Sequence, residues 1–213
     1  QHEPASIHRF VERASEGDLD MVSGSRYTDE VPTGDRPPED RRRINALITA
    51  EINQRLGLSL TDAFCGFKAH RVEATRDLDL TDNGYAFPMQ LWVQLVATGA
   101  TITERAIRRI YNDPNRSFGG DLDDPDHRLR HYRSVMHREI CAHAASLPQG
   151  AASALLTPCC GDASTAAPTL RRGYRAPADP TGPQRWDPSD GSADSPPNRS
   201  PDRPGADRLV AAG

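Results

Sequence analysis

Apolar residues recur with helical and strand periods along the first two thirds of the chain and thin out after that. Ile7, Phe10, Val11 and Ala14 stand at helical spacing between Pro4 and Glu16, with Gly17 behind them, which predicts a first helix. Leu19 to Ser23 predicts a short strand running into Gly24-Ser25-Arg26-Tyr27. From Thr28 to Asp40, three prolines, a glycine and five acidic residues predict a mobile loop. A longer amphipathic helix follows, with Ile44, Leu47, Ile48, Ile52 and Leu56 on one stripe and Gly57 at its close. Arg41-Arg42-Arg43 lies at its start, where three cations oppose the helix dipole.

Leu58 to Arg71 reads as a compact segment around Asp62-Ala63-Phe64-Cys65-Gly66-Phe67-Lys68-Ala69. Gly84-Tyr85-Ala86-Phe87-Pro88 predicts a turn into a mostly apolar helix carrying Met89, Trp92, Val93, Leu95 and Val96. Thr101 to Tyr111 alternates loosely around Ile102, Ile107 and Ile110 and predicts a strand. Residues 112–120 read as a loop, and His127 to His143 as a final polar helix. No internal repeat is visible. Helices alternating with strands imply an α/β sheet. Only about three strands are legible, and parallel strands need neighbours on both sides, so the pattern reads as half a sheet.

Composition sharpens the boundary. Hydrophobic residues are 36% and aromatics 6%, low for a chain that folds throughout. Of 18 prolines, 11 fall between Pro148 and Pro204. That stretch has too few large apolar residues to offset its ordering entropy. Residues 1–143 are therefore expected to fold, and residues 144–213 to form a disordered tail rich in Pro, Ala, Asp and Arg.

Charge and cysteines exclude other classes. No run of 18 apolar residues exists and no signal peptide opens the chain, so neither a membrane span nor secretion is expected. The four cysteines lack a disulfide-framework spacing, which makes a reducing, cytoplasmic setting the default. The formal charge of −4 argues against a nucleic-acid partner, although arginine is locally dense. Lys68 is the one lysine among 26 basic residues. The chain opens on Gln1 rather than Met, as a fragment would.

Five motifs in order carry a resemblance over roughly residues 1–132. They are Asp20 to Tyr27 with its Gly-Ser-Arg, the arginine-headed helix, Asp62 to Ala69, Gly84-Tyr85-Ala86-Phe87, and Asn115-Arg116-Ser117. Together they resemble the C-terminal half of a family 2 glycosyltransferase of the dolichol-phosphate mannosyltransferase type. The resemblance implies a partial GT-A (Rossmann-like) fold: the acceptor-side half, without the N-terminal half that holds a nucleotide sugar. In relatives an Asp-X-Asp metal motif ends that first half and is commonly followed by Gln-His, as in Gln1-His2. The break is thus expected just after the metal carboxylates.

Such a transferase must stabilise a departing diphosphate, which a divalent cation and arginines do without proton transfer. By resemblance Gln1 is the metal-side oxygen ligand for Mg²⁺ or Mn²⁺, unable to hold the ion alone. Arg26 and Arg116 match arginines placed near phosphate, and one of Arg41 to Arg43 a third, with Arg43 chosen. Guanidinium forks suit phosphate bidentately. Each has the alternative of an exposed surface arginine. Arg26, Arg116 and Asp62 are the catalytic candidates, with Asp62 orienting an acceptor or an arginine or else capping a turn. Arg43, Ser117, Gly66 and Gln90 are the acceptor and phosphate-binding candidates. Gly66 would let the backbone approach a ligand or a neighbouring strand. Gln90 stands where many relatives carry Glu, and an amide makes no general base. A phosphate acceptor needs none, so Gln90 favours a phosphorylated acceptor; drifted activity explains it equally. His127, His131, His137, Cys141 and His143 on the last helix lack a His-Glu-X-X-His pattern and read as a polar surface rather than zinc ligands.

The implied function is hexose transfer from a nucleotide-sugar donor, with inversion, to polyprenyl phosphate or a related lipid-phosphate acceptor, in cell-envelope glycan biosynthesis. Peripheral association with the inner membrane face is inferred from such acceptors alone. A rival reading is a truncated, non-catalytic remnant acting as an interaction module. An arginine-rich RNA binder is weaker, because no aromatic-basic stacking platform appears.

Overall fold

A computed structural model describes residues 2–28, 37–110, 117–153 and 209–212. A 3₁₀ turn, Pro4–Ser6, leads into α1 (Ile7–Ser15), followed by β1 (Met21–Ser25) and α2 (Glu39–Leu56). Then come β2 (Lys68–Arg71), the single turn α3 (Val72–Thr75), α4 (Phe87–Ala97) and β3 (Ile102–Ala106). A 3₁₀ turn, Gly120–Asp123, precedes α5 (Pro125–His143), and β4 is Leu209–Ala212.

The four strands form one mixed sheet in the order β3-β1-β2-β4. β1 and β3 run parallel, with Met21 opposite Ile102 and Ser25 opposite Ala106. β2 is antiparallel to both its neighbours, His70 facing Met21 and Lys68 facing Ala212. The α/β expectation therefore holds, with two antiparallel pairings added to it. All five residues of β1 are buried. Its alternate side chains serve two cores, as a two-faced sheet requires. Val22 joins Phe10, Ala14, Cys65, Phe67, Ala69 and Ile107 under α1. Met21 joins the larger cluster formed by α2, α4 and α5.

Gly24 is required by a close approach. A Cβ there would lie 2.9 Å from the Phe67 carbonyl oxygen and 3.0 Å from both Cys65 Sγ and Ile107 Cγ2. Its amide donates to that same carbonyl at 2.7 Å. The long helix ends where expected, on Gly57 at φ 68°, a left-handed position that suits glycine. Its start differs from expectation. α2 begins at Glu39, so Glu39 and Asp40 occupy the first turn and complement the dipole ahead of the three arginines. Its inward stripe also rotates: Ile44, Ile48, Ile52 and Leu56 are buried with Asn45 and Thr49, while Leu47 is exposed.

α5 is not a polar surface helix. Tyr132, Val135, Met136 and Ile140 are buried against α2 and α4, together with Arg128, His137 and Glu139. Its start is capped by Asp124, whose side chain accepts from the His127 amide at 2.6 Å. The packed unit continues past residue 143, since Leu147 and Ala151 are buried in the larger core. Cys65 is a free, buried thiol.

Glu51 ties α2 to α5. Its carboxylate accepts from Arg55 at 3.1 Å, Arg133 at 2.8 Å and His137 at 2.9 Å. Burial alone would raise its pKa; the bonds from His137, Arg133 and Arg55 overcome that and hold it at about 2, against 4.5. A depressed folded pKa contributes stability above the unfolded value that is lost as pH falls through the folded one. Glu51→Gln is thus expected to be less stable than the parent at neutral pH by about 1 kcal/mol, a partly solvated site being screened. The gap should close between pH 4.5 and about 2. Urea denaturation at stepped pH checks this; a gap constant down to the low end would contradict it.

Candidate functional site

The loop after β1 and the turn before β2 meet at Asp62, which is 0% exposed. Its Oδ2 accepts from Arg26 Nε at 2.6 Å and the Arg26 amide at 3.1 Å. Its Oδ1 accepts from Arg26 Nη2 at 2.8 Å, Asn45 Nδ2 at 2.7 Å and the Phe64 amide at 3.2 Å. The residue is therefore both arginine partner and turn former. Burial alone would push its carboxyl up, but the Arg26 fork and the Asn45 amide bring it below the usual carboxylate range. Arg26 in turn is desolvated, and Asp62 more than compensates, holding the guanidinium charge firmly.

The orientation of Asn45 is fixed by a relay. The Ala63 amide donates to Thr49 Oγ1 at 3.1 Å, and Thr49 donates to Asn45 Oδ1 at 3.0 Å. The Asn45 amino group must then face Asp62. A second carboxylate braces the same turn: Glu104 of β3 accepts from the Thr61 amide at 2.6 Å, Thr61 Oγ1 at 2.8 Å and the Asp62 amide at 3.1 Å. Burial, opposed by the bonds from Thr61, pushes Glu104 above the ordinary carboxylate range. Behind the turn, Trp92 Nε1 donates to the Ala63 carbonyl at 2.8 Å. Lys68 donates to Ser23 Oγ and to the Cys65 carbonyl, with its ammonium 4.8 Å from the Trp92 ring. Burial lowers the pKa of this lysine.

Arg26 opens onto a cavity of about 590 Å³. Three arginines line it, Arg26, Arg41 and Arg128. So do Tyr27, Phe64, Tyr85, Phe87, Phe118 and Tyr132. Phe118 packs between two of the cations, 4.8 Å from Arg41 and 4.3 Å from Arg128, and meets Tyr85 edge-on at 4.9 Å. Arg128 is itself buried, donating to Leu122 O at 2.6 Å and Asp40 Oδ2 at 2.5 Å. Burial raises the Tyr132 phenol to about 12. No Asp or Glu lines the cavity among the described residues.

Of the residues expected from the sequence, Arg26, Gly66 and Ser117 line this cavity, with Asp62 directly behind Arg26. A Cβ added to Gly66 would meet nothing within 4 Å, so it faces open cavity and not a neighbouring strand. Ser117 donates to Asp123 Oδ2 at 3.0 Å. Arg43 does not line the cavity; it points outward, 3.9 Å from Asp126, and Arg41 is the triplet member that lines it. Gln90 is likewise elsewhere, buried between α4 and α5. Arg116 and Gln1 lie outside the described residues. The sequence reading missed Arg41 as the chosen arginine, Asn45, Arg128 and most of the aromatic wall. The Gly84-Tyr85-Ala86-Phe87 turn was the one available signal for that wall.

The described residues offer no ligand set for Mg²⁺ or Mn²⁺: no cluster of three His, Cys, Asp or Glu side chains is suited to a metal. What the cavity can do chemically is bind an anion on fixed guanidinium donors beside apolar, aromatic surface.

Comparison with known proteins finds partial matches to glycosyltransferases. The chain is 32% identical over 108 residues to an undecaprenyl-phosphate mannosyltransferase of Micrococcus luteus, covering 48% of this chain and 42% of that protein. It is 30% identical over 108 residues to a polyprenol monophosphomannose synthase of Mycolicibacterium smegmatis, covering 48% and 39%. It is 27% identical over 101 residues to a low-salt glycan biosynthesis hexosyltransferase of Haloferax volcanii, covering 47% and 24%. The matches thus span less than half the length of each of these curated relatives. No family profile and no solved structure matches the chain. About half of the chain is therefore similar to glycosyltransferases, as the five ordered motifs led one to expect. No described helix is long and apolar enough to cross a membrane.

Proposed function

We propose that this chain forms the acceptor side of a glycosyltransferase that moves a hexose from a nucleotide sugar to polyprenyl phosphate with inversion. The observation that carries this reading is a cavity lined by three arginines and an aromatic wall, with no carboxylate among its described lining residues. The names of the matched Micrococcus and Mycolicibacterium proteins support the acceptor class.

In this reading Arg26 and Arg41 receive the lipid phosphate, the buried Arg128 adds its positive charge from behind Phe118, and Tyr85, Phe87 and Phe118 cover the first isoprene units. A phosphate oxygen attacks the anomeric carbon while the nucleoside diphosphate departs from the opposite face, which inverts the configuration. The acceptor is already an anion, so no general base is required. Asp62 holds Arg26 so that little reorganisation is needed when charge arrives. A divalent cation, when bound with the donor, would neutralise the diphosphate; its ligands lie outside the described residues. Tyr85 and Phe87, both 37% exposed, would let the cavity mouth meet the cytoplasmic face of a membrane.

Undecaprenyl phosphate in detergent micelles should bind the full chain saturably, with undecaprenol and inorganic phosphate each at least about tenfold weaker, since a charge-assisted contact contributes roughly 1.5 kcal/mol or more. Arg41→Gln should weaken the phosphate form alone. Equal binding of alcohol and phosphate would refute the acceptor assignment. Product of retained anomeric configuration, formed with a nucleotide-sugar donor and Mn²⁺, would refute the single displacement.

A further inference from the structure

Residues 77–86 connect β2 and α3 to α4 without regular secondary structure, yet they end in the Gly84-Tyr85 wall of the cavity. They are held by side chains from α4. Gln90 Oε1 accepts from the amides of Thr81 at 3.0 Å and Asp82 at 2.7 Å. Gln94 pairs with Asp79 as a neighbouring strand would, accepting from its amide at 2.8 Å and donating to its carbonyl at 2.7 Å. These contacts settle which way both amides face. Their amino groups must then find acceptors, and both converge on one buried carboxylate. Gln90 Nε2 donates to Glu139 Oε1 at 2.6 Å, and Gln94 Nε2 donates to Glu139 Oε2 at 3.0 Å. Glu139 is 7% exposed and has no Lys or Arg ion-pair partner among the described residues; the His143 imidazole lies 3.7 Å away, one turn on.

A carboxylate kept this deep without an arginine is costly unless hydrogen bonds hold it. Here both its oxygens accept from the two amides that fasten the segment. Asp82 Oδ1 then receives the Gly84 amide at 2.8 Å, and Tyr85 follows, 4.9 Å from Phe118. We infer that Glu139, acting through Gln90 and Gln94, is a positioning residue that sets the Tyr85 wall of the cavity from α5. It touches no ligand. The inference rests on the acceptor reading only for what the wall contacts; the positioning itself is a property of the fold.

Glu139→Gln tests it in the full chain. The new amide has one acceptor oxygen, so one of the two glutamines loses its acceptor and faces a donor. Hydrogen exchange at Asp79, Thr81 and Asp82 should quicken about tenfold or more, the loss of roughly one charge-assisted bond. Amides within α4 and α5 should keep their protection. The reciprocal pair Gln90→Glu with Glu139→Gln restores an acceptor for every donor and should return exchange to the parent rate. A ¹⁹F label on Tyr85 should shift in the single variant and recover in the pair. Unchanged exchange, loss of helix protection in parallel, or failure of the reciprocal pair to recover would each overturn the inference. Should exchange respond while undecaprenyl phosphate never binds, the positioning stands and the acceptor reading falls.

Discussion

Asp62→Asn is expected to destabilise the fold by about 3 kcal/mol, the scale at which a buried ion pair loses one partner. The substitution keeps shape and removes charge, so nothing is lost to a cavity. What changes is polarity. Asp62 accepts five hydrogen bonds, two of them from the Arg26 side chain, and an amide nitrogen placed among those donors can accept none of them. Rotating the amide does not help, because both oxygens are occupied. Denaturation by urea at neutral pH measures the loss. Arg26→Met with Asp62→Asn should cost less than the two single losses added, because neither is then left alone in a dry site. A single-variant loss below about 1 kcal/mol would mean that Arg26 finds water instead, and that Asp62 does not hold it.

Trp92→Ala is expected to cost about 3–5 kcal/mol, the range for deleting a large buried aromatic. Trp92 is 0% exposed in the larger core, and its Nε1 satisfies the Ala63 carbonyl beside Asp62. Its ring also faces the Lys68 ammonium at 4.8 Å. Trp92→Phe separates these contributions. It keeps an aromatic face for Lys68 but orphans the carbonyl, for a loss of about 1–2 kcal/mol. Equal losses for the two variants would show that the indole hydrogen bond, not the packing, dominates. The Phe variant should also loosen the Asp62 turn, visible as faster exchange at Ala63 and Phe64.

The helix made from residues 39–56 shows how far a pattern reaches. Its apolar stripe and its terminal Gly57 were legible because burial repeats with the helical period and a left-handed cap favours glycine. That Asn45 and Thr49 share the buried face was not legible, because their partners, the Asp62 carboxylate and the Ala63 amide, come from another segment. The last helix misled for the same reason. Arg128, His137 and Glu139 read as solvent-facing charge, yet each is buried where a partner from elsewhere compensates it: Asp40, Glu51 and the pair Gln90 with Gln94. A charge run is usually solvated, and only its neighbours in space say otherwise.

The candidate site divides along the same line. Arg26 and Asp62 were named from motifs in separate segments, but their pairing at 2.6 Å required β1 and the turn before β2 to meet. Arg41 and Arg43 are indistinguishable along the chain. Two residues on a helix are about 200° of rotation, so one lines the cavity and the other reaches Asp126 outside it. Gln90 was read as an acceptor group because an amide stands where relatives carry an acid. Its role emerged only with Glu139 beside it, 49 residues away. The sequence by itself determined the α/β alternation, the order of the motifs and the likeness to glycosyltransferases, because these depend on local period and residue identity. The tertiary structure alone decided which arginines share a cavity, which carboxylates are dry and what the buried amides hold, because those depend on contacts between segments far apart in the chain.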